Sequence, residues 1–223
     1  MLAITGGKGG CGKTTTALGL AAALARRRRD VLVVDADRDM PNLHAMAGVE
    51  RSPGLADLPD ESVERVSHSV SATPGVSVVP AAPGTDADDV RAALARLRGS
   101  ADSVLVDAPA GAGPAAVAPL RAADRALLVT TLAPASLEDT AKTAAMAREL
   151  GTPVEGAVLS GARVSATRTA ESIHDRVATL LDCPVLERVP TVDTSTGDDA
   201  VLADERVAAS YTRLAVATSE PNV

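Results

Sequence analysis

The chain has 223 residues, a formal net charge of −7, 46% hydrophobic and 23% charged residues. That balance argues against wholesale disorder, and the length suits one domain that folds without disulfides. With no Phe, no Trp and a single Tyr, the chain lacks rings to stack on single-stranded nucleic acid, and its acidity opposes a broad grip on DNA or anionic lipid.

Short β-branched runs alternate with longer stretches rich in Ala and Leu. Strands are expected over 2–5, 31–35, 76–79, 103–107, 126–131, 157–160 and 185–189. Most are continuous apolar runs, the pattern of strands covered on both faces. Helices are expected over 14–29, 86–98, 136–150, 166–181 and 204–217. The third of these should open at Ser136, with Glu138 and Asp139 in its first turn, and stop before Gly151. The segment 41–71 reads as loops with short helices. The alternation predicts an α/β fold, a mostly parallel central sheet with helices on both faces. Residues 1–218 are expected to form one domain, with 219–223 a frayed tail. Cys11 and Cys183 fit neither a disulfide framework nor a metal-binding spacing, so a reducing, cytoplasmic compartment is the simplest reading. No apolar run reaches the roughly 18 residues of a membrane span, and the first residues do not read as a signal peptide.

The string Gly7-Lys8-Gly9-Gly10-Cys11-Gly12-Lys13-Thr14 fits G-x-x-x-x-G-K-[ST] between an apolar strand and a helix. Glycines let a backbone curl around a phosphate with several N–H groups pointing inward, and the following helix adds its positive dipole end. Lys13 supplies a point charge for β- and γ-phosphates, and Thr14 offers a hydroxyl to Mg²⁺. Downstream, 31–35 ends in Asp35 and is followed by Asp37, while 103–107 ends in Asp107 before Ala108-Pro109-Ala110-Gly111. An apolar strand that ends in an acid, as 103–107 does, suits a metal held through water.

The second lysine decides between kinds of phosphate loop. Lys8-Gly9-Gly10-Cys11-Gly12-Lys13-Thr14-Thr15 resembles the deviant Walker A motif of the MinD/ParA superfamily, the SIMIBI-class NTPases, and the resemblance spans nearly the whole chain. It implies a phosphate-loop NTPase sandwich of three layers, with ATP and Mg²⁺ as cofactors. It implies that Lys8 reaches across a dimer interface to the partner's nucleotide, as an arginine finger does elsewhere. Gly7 through Thr15 would bind nucleotide, Thr14, Asp35 and Asp107 would serve the metal, and Lys8, Lys13 and Asp37 would be catalytic. Asp37 and Gly111 would belong to the two switches, Gly111 swinging its N–H toward a γ-phosphate.

Two features depart from the family. Many relatives carry an adenine-reading asparagine where this chain has Ser160, so ATP is expected while GTP stays open, with backbone near Pro190 as a further base contact. The last helix lacks the Lys-rich and bulky apolar faces of a membrane-surface helix, so a protein activator or cargo adaptor is expected rather than lipid. The run 26–29 of arginines reads as a solvated helix end. Cys11 reads as a small filler, though a helix N-terminus can activate a thiol. His44, His68 and His174 share no ligand spacing.

The resemblance thus implies a slow, partner-stimulated ATPase that dimerises with ATP and positions cargo in division, chromosome partitioning, or surface and motility structures. A metabolic ligase like dethiobiotin synthetase is the alternative on the same scaffold, and a non-hydrolysing nucleotide-binding module is a third.

Overall fold

The computed structural model describes residues 1–7, 9–81, 87–162, 168–191 and 202–219. The strands are β1 (Leu2–Gly6), β2 (Val31–Asp35), β3 (His68–Ser69), β4 (Val76–Val79), β5 (Ser103–Ala110), β6 (Arg125–Thr130), β7 (Val154–Ala162) and β8 (Val185–Pro190). They form one sheet in the order β3-β4-β2-β5-β1-β6-β7-β8. Every neighbouring pair is parallel except β3 with β4. The helices are α1 (Lys13–Arg26), α2 (Leu43–Ala47), α3 (Val63–Val66), α4 (Ala87–Leu97), α5 (Val117–Ala122), α6 (Pro134–Glu149), α7 (Arg168–Leu181) and α8 (Glu205–Ala217).

The core follows from the two-residue period of strands. On β2, Val31 and Val33 join Leu18, Leu24 and Tyr211 on one face. Leu32 and Val34 join Leu94, Leu97 and Val106 on the other. Both faces are therefore dry, which is why the strands read as unbroken apolar runs. Each fully buried Leu or Val contributes about 1.5–3 kcal/mol. With so little aromatic volume, the layers fit closely at small residues. A Cβ on Gly19 of α1 would lie 2.2 Å from the ring of Tyr211 on α8, so α1 and α8 pack at a distance that only glycine permits.

Several boundaries differ from expectation, two of them at the site. β5 does not end at Asp107 but continues to Ala110, which pairs with Gly6 of β1 after a one-residue shift of register past Ile4 and Asp107. The helix expected at Ser136 starts at Pro134, whose fixed φ suits the first helical position. Glu138 and Asp139 therefore lie beyond the first turn, which holds no acid. The freed Ser136 hydroxyl instead accepts the Thr131 N–H at 3.2 Å and lies 3.1 Å from Thr130 Oγ1. Within 41–71 lie α2, α3 and β3. Arg26, where α1 stops, and the arginines after it are exposed. The expected tail falls almost wholly outside the described residues, as do 166–167 of the expected 166–181 helix.

Candidate functional site

Parallel strands deliver all their C-terminal ends to one edge of the sheet, and the sequence-predicted residues converge there. The loop after β1 runs into α1 through Gly12, which stands at φ 95° in the left-handed region and caps α1 without any side chain. The first-turn amides of α1 are thus left without a side-chain acceptor, the arrangement that attracts an anion. Lys13 follows, with 7% of its surface exposed. Gly7 serves a different purpose from the curling glycines. Its Cβ would lie 2.1 Å from the Thr140 nitrogen, so glycine lets the loop sit directly on α6. The Gly7 N–H donates to Thr140 Oγ1 at 3.1 Å, and that hydroxyl donates onward to the Ser136 carbonyl at 2.7 Å. Cys11 is buried and its thiol donates to the Val129 carbonyl at 3.4 Å, in keeping with the reading as filler. Thr15 is half-buried on the first turn of α1. Lys8 lies outside the described residues.

The carboxylates are built around one contact. Thr14 donates its hydroxyl to Asp107 Oδ2 at 2.6 Å. Asp35 and Asp107 are register partners on the adjacent strands β2 and β5, and both are almost fully buried. Burial, with the Asp107 charge second, pushes the Asp35 carboxyl up to about 7, against the pull of the Asp37 and Leu43 amides. Burial also pushes Asp107 up to about 6, although the Thr14 hydroxyl and the Lys13 charge hold it down. Asp107 Oδ1 is buried and has no hydrogen-bond partner.

Two buried acids with an unsatisfied oxygen and a threonine hydroxyl form an oxygen-rich donor set of the kind that suits a hard divalent cation. These residues fit magnesium. Asp37 is half-buried, and its Oδ1 accepts the Met40 N–H at 3.1 Å. The Gly111 N–H donates to the Gly6 carbonyl at 2.8 Å, which ties the segment after Asp107 to the end of β1. Ser160 stands near the end of β7, two residues before Ala162, with its Oγ 2.7 Å from where a Gly12 Cβ would lie, so it flanks the phosphate loop. Pro190 ends β8, buried, in register with Ala162.

Sequence reasoning missed two residues of this edge. Thr140 carries no motif and reaches Gly7 only through the packing of α6. Asn42 precedes a short helix and reads as a local cap, yet its side chain lies at Thr14. The histidines stay apart: His68 Nε2 is 2.7 Å from the Pro53 carbonyl and His174 Nε2 is 3.0 Å from that of Val185. Among the described residues no group of three or more His, Cys, Asp and Glu gathers at metal-binding distance. No helix there is long and apolar enough to cross a membrane.

A strand, a left-handed glycine turn, a buried lysine and a threonine held by a strand-borne aspartate define a phosphate-loop nucleotide-binding domain. The chain belongs to the CobQ/CobB/MinD/ParA nucleotide-binding domain family, whose model matches residues 2–198. It is 33% identical over 205 residues to an uncharacterised ATP-binding protein of Methanocaldococcus jannaschii, covering 85% of this chain and 73% of the relative. It is 34% identical over 215 residues to the maintenance of carboxysome distribution protein A of Gloeobacter kilaueensis, covering 82% and 94%. The septum site-determining protein MinD of Pyrococcus horikoshii, solved with Mg-ADP, superposes with a TM-score of 0.83 at 25% identity, over all of this chain and 98% of that one.

Proposed function

We propose that this chain is an ATP-dependent switch ATPase that dimerises on magnesium-ATP, hydrolyses it slowly under a partner's stimulation, and positions cellular cargo. The observation that carries the reading is the Thr14 hydroxyl on Asp107 at 2.6 Å, with Asp35 buried beside it and Asp107 Oδ1 unpartnered. Relatives whose names speak of carboxysome distribution and septum-site determination support the cargo-positioning part. Division, chromosome partitioning and surface or motility structures are the classes of cargo, and the cytoplasm is the compartment.

The loop 7–15 and the N-terminus of α1 bind the phosphates, and the buried Lys13 sets a positive charge against them. Thr14 and Asp107 hold magnesium, with Asp35 behind them. The chemistry that the ion supplies when bound is neutralisation of phosphate charge. Asp37 orients the attacking water and accepts a hydrogen bond from it. Gly111 releases Gly6 and turns its N–H toward the γ-phosphate, since its positive φ leaves it free to take both settings. Ser160 and Pro190 face the base. Lys8 serves the active site of the other copy, which makes dimerisation part of catalysis.

The Asp37→Ala protein tests the reading. It is expected to bind ATP, to release little phosphate and to accumulate as a dimer in light scattering coupled to size exclusion. A monomer that retains bound ATP under those conditions would overturn the dimeric switch.

A further inference from the structure

We propose that Asn42 is a positioning residue that carries the state of the metal site to the loop 37–42, and through it to Asp37. The inference rests on the switch reading above. Asn42 occupies the N-cap of α2, where an asparagine side chain normally accepts from the helix's own first amides. Its backbone does start the helix, its carbonyl accepting the Met46 N–H at 3.1 Å. Its side chain makes no capping bond. Instead Asn42 Oδ1 lies 3.0 Å from Thr14 Oγ1, across to the start of α1.

Thr14 therefore has one hydroxyl proton and two acceptors. Asp107 Oδ2 at 2.6 Å is nearer and charged, and takes it. Thr14 and Asp107 would hold the cation, whose charge would weaken the carboxylate as an acceptor and strengthen the hydroxyl as a donor, and Thr14 would then lean its proton toward Asn42 Oδ1.

The loop is built to register such a turn. Asp35 accepts the Asp37 N–H on Oδ1 at 3.0 Å and the Leu43 N–H on Oδ2 at 3.3 Å, so one buried carboxylate pins both ends. Leu43 is fully buried and fixes the far end in the core. Between those anchors Met40 stands 73% exposed at the tip, its N–H on Asp37 Oδ1. The Asn42–Thr14 contact and the Met40 amide on Asp37 Oδ1 are both already in place, so a stronger bond from Thr14 to Asn42 tightens this arc and holds that carboxylate more firmly in the direction it already points.

The test is amide hydrogen exchange across 37–43 with ADP alone and with ADP plus Mg²⁺, beside ADP affinity in each condition. In the wild type, Mg²⁺ is expected to slow exchange of the Met40 amide by about tenfold, the worth of one hydrogen bond near a charge. Asn42→Ala should lose that slowing while its affinity for metal-free ADP stays within about twofold of wild type. Asn42→Asp keeps an acceptor oxygen of the same reach and should keep the slowing; it also carries the test if the alanine variant fails to fold. Equal slowing in Asn42→Ala, or its loss in Asn42→Asp, overturns the proposal. A wild-type protein that binds no Mg-ADP overturns the switch reading itself, and this inference with it.

Discussion

The two edges of the sheet hold acids in opposite ways. At the N-terminal edge two acids meet cations: the buried Glu155 has Arg125 at 2.6 Å, and the exposed Asp124 has both Arg98 and the Met1 ammonium. Partial loss of water pushes Asp124 up, but the hydrogen bonds from Arg98 and Met1 outweigh it and hold the carboxyl below its ordinary range. Glu155 is buried deeply enough that desolvation exceeds the attraction of Arg125, and it stays raised. At the C-terminal edge Asp35 and Asp107 face each other, both raised; a buried oxygen without a hydrogen-bond partner occurs at both edges, on Asp107 and on Glu155, so the contrast lies in the charge each acid faces. Opposite charges set together at one edge favour the fold, whereas like charges set together at the other weaken it.

The largest effect expected on this contrast comes from the lysine. Lys13→Ala should lower ATP affinity by a factor on the order of a hundred or more in calorimetric titration, because it strips a buried charge from a polyanion site. Arg125→Ala, at the opposite edge, should leave that affinity within about twofold. Next comes Asp107→Asn. Without metal at pH 8 it should raise unfolding free energy by about 1–3 kcal/mol in urea titration, because it removes one of two like charges from a buried pair. The same variant should lose the Mg²⁺ dependence of nucleotide binding. A destabilised Asp107→Asn protein would erase the contrast between the edges.

The pH dependence sharpens the comparison. Asp35 is raised from 3.8 to about 7, so the folded state holds its proton more tightly than the unfolded chain. Its contribution is full below the unfolded value and is lost as pH rises through about 7. Asp107 acts in the same sense, up to about 6. Asp124 is lowered, so its contribution is present above its unfolded value and is lost on acidification. Thermal melts of the metal-free protein should therefore fall between pH 5 and pH 8, roughly the span in which the buried acids ionise. Magnesium with nucleotide should flatten that fall, and Asp124→Asn should leave it intact. The smallest effect is expected from Thr140→Val, which removes the acceptor under the Gly7 amide. It should cost about 1 kcal/mol in stability and reduce ATP affinity by less than about tenfold.

Much of this architecture can be read from the residues. β2 and β4 lie over 31–35 and 76–79 as expected, because runs such as VLVVD must be covered on both faces. The loop glycines, Lys13, Thr14 and the two strand-end aspartates announce themselves by local pattern. What escaped depends on partners far along the chain. β5 continues through Ala108, Pro109 and Ala110, residues that look like a turn, because β1 offers a neighbour at Gly6. β3 is two residues long, too short to carry any period. Asn42 and Thr140 are ordinary polar residues until α1 and α6 bring Thr14 and Gly7 against them. Gly7 itself looked like part of the phosphate curl, and is needed as much for its seat on α6.

Tyr211, pressed on Gly19, is the only aromatic side chain in the sequence. Its ultraviolet emission therefore comes from one address, the seam between the last helix and the helix that follows the nucleotide loop. The packing of that seam can be followed by fluorescence in the unlabelled protein, with no tryptophan to mask it.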